Sequence, residues 1–237
     1  MWLTHSTPCA VQVEPRPLRA KPWRVVEAQH RVATRKLSAS DDAQRVLEDL
    51  LERYKPKVPA AAEHLHYLLK TPFRYPPLRH GSRFGAWTER GIWYGARSQT
   101  TALAESSHYL RRFVSESAAQ LLPLTVERSL FQAALRTSRA LRLTEPPLSD
   151  FEALWRHPTD YAATQRLGRE VRGAVDVMVY ASVRDARAGS CFAVLEPAAF
   201  AETQPLAAAQ TWQACVSASR IEWRRATVAP RPIVFEG

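Results

Sequence analysis

The sequence predicts an α+β fold, a mixed β-sheet core with surrounding helices, because strand-like and helix-like segments are interleaved without a regular βαβ rhythm. Valine-rich and aromatic runs of strand length recur at 23–32 (WRVVEAQHRV), 92–96, 174–182 (AVDVMVYAS) and 190–196 (SCFAVLE). Between them lie segments with apolar residues at helical spacing, at 38–54, 100–114 and 161–172. With 46% hydrophobic and 24% charged residues, 237 positions suffice for one large domain.

Taken in order, residues 1–22 are polar and proline-bearing and read as a loose N-terminal arm, leaving 23–237 as a single domain with a helical insertion at about 40–70. The insertion opens with a helix whose apolar face is Ala43, Val46, Leu47, Leu50, Leu51 and Tyr54, with Ser40 to Asp42 as cap and first-turn acids. Pro56 and Pro59 end it, and a second helix over 60–70 carries Leu65, Leu68 and Leu69. Residues 71–91 are dense in Pro, Gly and Arg and read as irregular. A short strand at 92–96 leads into the helix at 100–114, and strands are expected near 121–126, 129–135 and 140–143. Ser149-Asp-Phe-Glu152 has the form of a capping box. The helix over 161–172 stops at Gly173, a good C-terminal residue. Two strands joined by the turn at 183–189 follow, with more strand sequence over 211–228.

Charge and cysteine usage limit the function classes. The formal net charge is +10, and 28 of the 33 basic residues are arginines. Such a field suits nucleic acid, an anionic cofactor or an acidic protein. No apolar run approaches the roughly 18 residues of a membrane helix. The N-terminus lacks the apolar core of a secretory leader, so a cytoplasmic location is expected. Cys9, Cys191 and Cys215 are odd in number and widely spaced, and His64 and His66 are the only close histidine pair, so no metal is expected. There is no phosphate-binding Walker loop, no dinucleotide glycine fingerprint, no nucleophile elbow and no zinc-protease motif.

The informative stretch is 81–105, GSRFGAWTERGIWYGARSQTTALAE. Arg83 stands between glycines, where its fork suits a pyrophosphate. Tyr94 suits stacking on an aromatic ring, and Glu105 lies in the early turns of a helix, where the dipole favours its charge. Each residue alone also has a plain structural reading: Tyr94 as core, Glu105 as a solvated helix residue, Arg83 as a loop ion pair.

Together these residues resemble the RES family. The early arginine of that pattern falls on His30-Arg31-Val32, the second on Ser82-Arg83-Phe84, the tyrosine on Trp93-Tyr94-Gly95-Ala96 and the glutamate on Ala102-Leu103-Ala104-Glu105. Downstream, TQRLG at 164–168 followed by a strand ending in Ser182 resembles the family's closing segment, with Ala181 where proline often stands and Gly85 where a polar residue often follows.

The resemblance implies an ADP-ribosyltransferase-like fold and a toxin that degrades NAD⁺ at its nicotinamide–ribose bond, by phosphorolysis with inorganic phosphate or by hydrolysis. It implies Glu105 facing the ribose, Arg31 and Arg83 gripping phosphate, Tyr94 stacking and Ser182 bonding the ribose or amide. It also implies an Xre-type helix-turn-helix antitoxin that plugs the site and possible assembly with it. Transfer of ADP-ribose to a protein keeps the fold and changes the acceptor. A nucleic-acid-binding domain would use the charge and the cluster of Trp212, Trp223, Arg224 and Arg225; the dispersed basic residues and lack of a reading motif argue against direct binding.

Overall fold

The computed structural model describes residues 2–4, 11–28, 40–117, 121–227 and 231–236. In chain order the strands are β1 (Trp2–Thr4), β2 (Val11–Val13), β3 (Arg16–Ala20), β4 (Trp23–Glu27), β5 (Trp93–Ala96), β6 (Leu124–Gln132), β7 (Leu135–Arg142), β8 (Val177–Ala181), β9 (Ser190–Val194), β10 (Gln210–Val216), β11 (Arg220–Arg225) and β12 (Ile233–Glu236). The helices are α1 (Asp41–Tyr54), α2 (Tyr67–Arg74), α3 (Gln99–Glu116), α4 (Glu152–Trp155) and α5 (Ala162–Val171). No described helix is long and apolar enough to cross a membrane.

The fold is α+β. β1 and β2 pair with each other, and the other ten strands form one mixed sheet in the order β12-β11-β10-β6-β4-β5-β9-β8-β7-β3. Only the β7–β8 pair is parallel among the described strands. Side-chain alternation divides the core into two faces. Met178 and Tyr180 of β8, with Cys191 and Ala193 of β9, pack with Leu103 and Leu110 of α3 and Leu167 of α5. Val177 and Val179, with Phe192 and Val194, pack with Leu69 and Phe73 of α2 on the opposite face. Both faces of β8 are therefore covered, which explains its unbroken apolar sequence.

The sheet is continuous in order but not in pairing. β4 pairs with β6 along all five residues, from Trp23↔Gln132 to Glu27↔Arg128. It meets β5 at a single rung, Trp23↔Ala96. Beyond that rung the two strands part, and Arg24 stands in the gap. Its Nη1 donates to the Tyr94 carbonyl at 2.6 Å, and its guanidinium lies 5.4 Å from the Trp93 ring centre. A carbonyl that a longer ladder would have satisfied is thus taken by a cation.

Several sequence expectations change. Residues 16–20, read as part of a loose arm, form the edge strand β3 through pairing with β7. The expected helix at 60–70 is a short 3-10 turn, Ala60–Ala62, and then α2, which runs on through Pro72 into the segment read as irregular. The break has a cause: His66 N is bonded to the Thr203 carbonyl, while His66 Nδ1 accepts from Leu68 N and starts a new helix. The capping box does not form. Ser149 lies inside a 3-10 turn, its N–H bonded to the Glu145 carbonyl, and Glu152 pairs with Arg156 instead. The strands expected at 121–126, 129–135 and 140–143 are two long strands, β6 and β7, and β12 had no sequence signal.

Candidate active site

Glu105 is positioned by a hydrogen-bonded unit that joins the start of α3 to the turn after β8. Ser98 caps α3, accepting from Thr101 N at 3.0 Å. The Thr101 hydroxyl donates to Asp185 Oδ2 at 2.7 Å, and Asp185 Oδ1 accepts from Arg187 N at 3.0 Å. Gly189 lets the turn lie against the helix, since a Cβ there would stand 2.2 Å from Thr101 Oγ1. Within this frame the Ser182 hydroxyl donates to Glu105 Oε1 at 2.5 Å and accepts from the N–H groups of Arg184 and Asp185 at 3.1 and 3.0 Å. Glu105 is the seventh residue of α3. A helix dipole acts mainly within the first turn, so Ser182 rather than the helix terminus is the group that holds this carboxylate.

Arg83 is held in a second frame. Its Nη1 donates to the carbonyls of Trp155 and His157 at 2.9 and 3.1 Å, and its guanidinium lies 4.7 Å from the Tyr161 ring centre. The loop carrying it closes through Ser82 N to the Gly85 carbonyl at 2.7 Å. Tyr94 braces that loop: its hydroxyl is 2.9 Å from Ser82 Oγ and accepts from Phe84 N at 3.2 Å. Burial pushes the Tyr94 phenol well above its ordinary range, so it stays a neutral hydrogen-bonding group.

The two frames face each other across a cleft of about 430 Å³ that opens where β4 and β5 part. That volume lies within the range of small-molecule sites. Glu105, Arg83 and Tyr94 line it, as do Arg24, Arg128 and Arg184. His108, one turn beyond Glu105, also lines it, and its pKa is lowered from 6.5 to about 4 by burial first and then by Arg184, Arg112, Arg83 and Arg111. The site is therefore a basic, phenol-walled groove with a braced carboxylate.

Three of the five residues singled out in the sequence, Glu105, Arg83 and Tyr94, line this cleft, and a fourth, Ser182, is bonded to Glu105. Ser182 is 0% exposed, and its only proton goes to Glu105, so it sits behind the carboxylate and not on the cleft wall. Arg31 lies outside the described residues. Arg24, inside the first strand, also lines the cleft and was not singled out in the sequence. A signal was present: Trp23-Arg24-Val25 places a cation within an apolar strand, and such an insertion needs a reason.

Fold and site define an α+β protein whose split sheet houses a nucleotide-sized, cationic cleft that holds the braced carboxylate of Glu105. Residues 58–217 match the RES domain, and the chain belongs to that family. No curated protein matches it. A solved structure described as the M. tuberculosis MbcT–MbcA toxin–antitoxin complex is similar at 11% identity and a TM-score of 0.49, covering 86% of this chain and 87% of that one.

Proposed function

We propose that this chain is a toxin enzyme that cleaves the nicotinamide–ribose bond of NAD⁺. The observation that carries the reading is Glu105, braced by Ser182 and opposed by Arg24 and Arg83 across one cleft. Cleavage of that bond builds positive charge on the ribose, as in glycoside hydrolysis. A carboxylate fixed in advance beside the reacting carbon stabilises the developing charge more than the ground state. The bonding electron pair leaves with nicotinamide, which departs neutral and needs no proton. An oxygen of inorganic phosphate or of water then bonds to C1′, and in the hydrolytic case water also releases a proton. Arg24 and Arg83 hold phosphate oxygens by charge-assisted hydrogen bonds.

Purified protein incubated with NAD⁺ and phosphate, with products read by mass spectrometry, tests the reading. ADP-ribose 1″-phosphate identifies phosphorolysis, ADP-ribose hydrolysis, and a mass increment on a protein transfer. Glu105→Gln keeps the shape and removes the charge, and NAD⁺ loss is expected to fall about 10²–10³-fold, the usual effect of removing one transition-state-stabilising group. Wild-type turnover in that variant rejects the assignment.

The same proposal includes a partner of the Xre helix-turn-helix type that plugs the open, basic cleft with acidic residues. Co-expression followed by purification through a tag on the partner is expected to recover both chains without NAD⁺ loss.

A further inference from the structure

Helix α1 lies ahead of the RES domain and lends no residue to the cleft. Its 14 residues are about the length at which a helix alone in water is marginal, so its stability is expected to come from covering an apolar face. Three apolar side chains of that face stand open. Val46, Leu50 and Tyr54 recur at every fourth position, on one side of the helix, and are 59%, 44% and 87% exposed. None of the three belongs to either core cluster. Single apolar residues scattered on a surface are ordinary, whereas a continuous stripe calls for a partner.

The charges beside the stripe say what that partner is. Asp42 stands in the first turn of α1, 86% exposed although it pairs with Arg45. Arg53 stands in the last turn and is also exposed. Eleven residues separate them, which is three turns, so both lie on the same flank of the stripe. When two such helices are laid antiparallel about a two-fold axis at their middle, like flanks meet. Val46 then faces the partner's Leu50, Leu50 faces the partner's Val46, and Arg53 at each end faces the partner's Asp42. The dipole of each helix end also meets its opposite. A parallel arrangement would instead set Asp42 beside Asp42 and Arg53 beside Arg53. The face is thus complementary to itself in one orientation.

We propose that the exposed face of α1 is an isologous dimer interface, occupied by the antiparallel α1 of a second copy of this chain. The dimer does not depend on the NAD⁺ reading. A helix of this length spans about 21 Å, so the contact is smaller than the roughly 1,200 Å² of stable specific interfaces, and the dimer is expected to dissociate on dilution.

Sedimentation velocity of the full chain over a concentration series makes the test. The wild type is expected to pass from monomer to dimer as concentration rises, and Leu50→Arg to stay monomeric with its circular dichroism and melting temperature retained. Charge reversal reports the orientation. Arg53→Asp and Asp42→Arg are each expected to weaken self-association about tenfold, because like charges then meet at both ends. An equimolar mixture of these two variants is expected to associate as the wild type does, since every end again joins an acid to a base. These substitutions lie on an exposed face, so each variant is expected to fold. A wild type that stays monomeric throughout, or a dimer indifferent to Leu50→Arg, overturns the interface. A mixture no stronger than its components overturns the antiparallel pairing. A monomeric wild type whose co-purification with the antitoxin is lost in Leu50→Arg gives the face to that partner and overturns the proposal.

Discussion

Ser182 has one proton to donate, and the structure commits it to Glu105. Ser182→Ala releases the carboxylate and leaves the N–H groups of Asp185, buried, and Arg184, part-buried, without their acceptor, at a cost of about 1–3 kcal/mol for a buried donor. Because Ser182 does not reach the cleft wall, the expected signature is a roughly tenfold or greater fall in kcat with KM for NAD⁺ held, whereas a substrate-binding role would raise KM. His108 offers a second test at this scale. Its folded pKa of about 4 lies below the 6.5 of the exposed group, so the unfolded chain binds the extra proton between those values. Stability is then highest above about 6.5 and declines as pH falls towards 4. His108→Gln is expected to flatten that part of a chemical-denaturation profile measured across pH. Of the site residues, Glu105, Arg83 and Tyr94 were legible from a short run of sequence. Arg24 was not, because the first strand was read as extending to Val32 and the structure ends β4 at Glu27.

Among the elements, α5 shows why a motif can be visible before its purpose is. TQRLG stood out in the sequence only as a pattern. In the structure Gln165 Nε2 donates to the Ser82 carbonyl at 3.0 Å, and Gly168 lets the Phe84 backbone approach so closely that a Cβ would lie 2.0 Å from its carbonyl oxygen. The helix is the clamp that holds the Arg83 loop. Replacing glycine by alanine inside a helix ordinarily gains up to about 1 kcal/mol, but here the added methyl meets backbone. Gly168→Ala is therefore expected to lower the melting temperature by several degrees and to raise KM for NAD⁺ as the loop shifts. Unchanged melting and kinetics would remove α5 from this role. Elements fixed by their own periodicity, such as α3 and the β8–β9 pair, were readable. Those fixed by contacts remote in sequence, such as β3 against β7 and the interruption at His66, were not.

For the whole molecule, the arginine excess gains a location, since the cleft gathers Arg24, Arg83, Arg128 and Arg184 around two carboxylates, Glu27 and Glu105. Screening lengths shrink from about 10 Å at 0.1 M salt to 3 Å at 1 M. KM for NAD⁺ is accordingly expected to rise with ionic strength in steady-state kinetics while kcat changes little. The mixed α+β character was legible from interleaved strand and helix patterns. The division of the sheet was not, because a rung count depends on where two strands diverge in space and leaves no periodic trace.

That single rung between Trp23 and Ala96 also bears on how the protein avoids sticking to its neighbours. Unpaired strand edges usually sit at the rim of a sheet, where another chain can add to them and begin aggregation. Here, among the described residues, the side of β4 that faces β5 carries a single ladder rung and lies at the middle of the sheet, with four strands flanking β4 on one side and five on the other. A small molecule can enter the gap, but a foreign strand would have to part the two halves first. Amides of β4 that face the gap should exchange with solvent deuterium as fast as rim amides, despite their central address, and should slow when the cleft is filled.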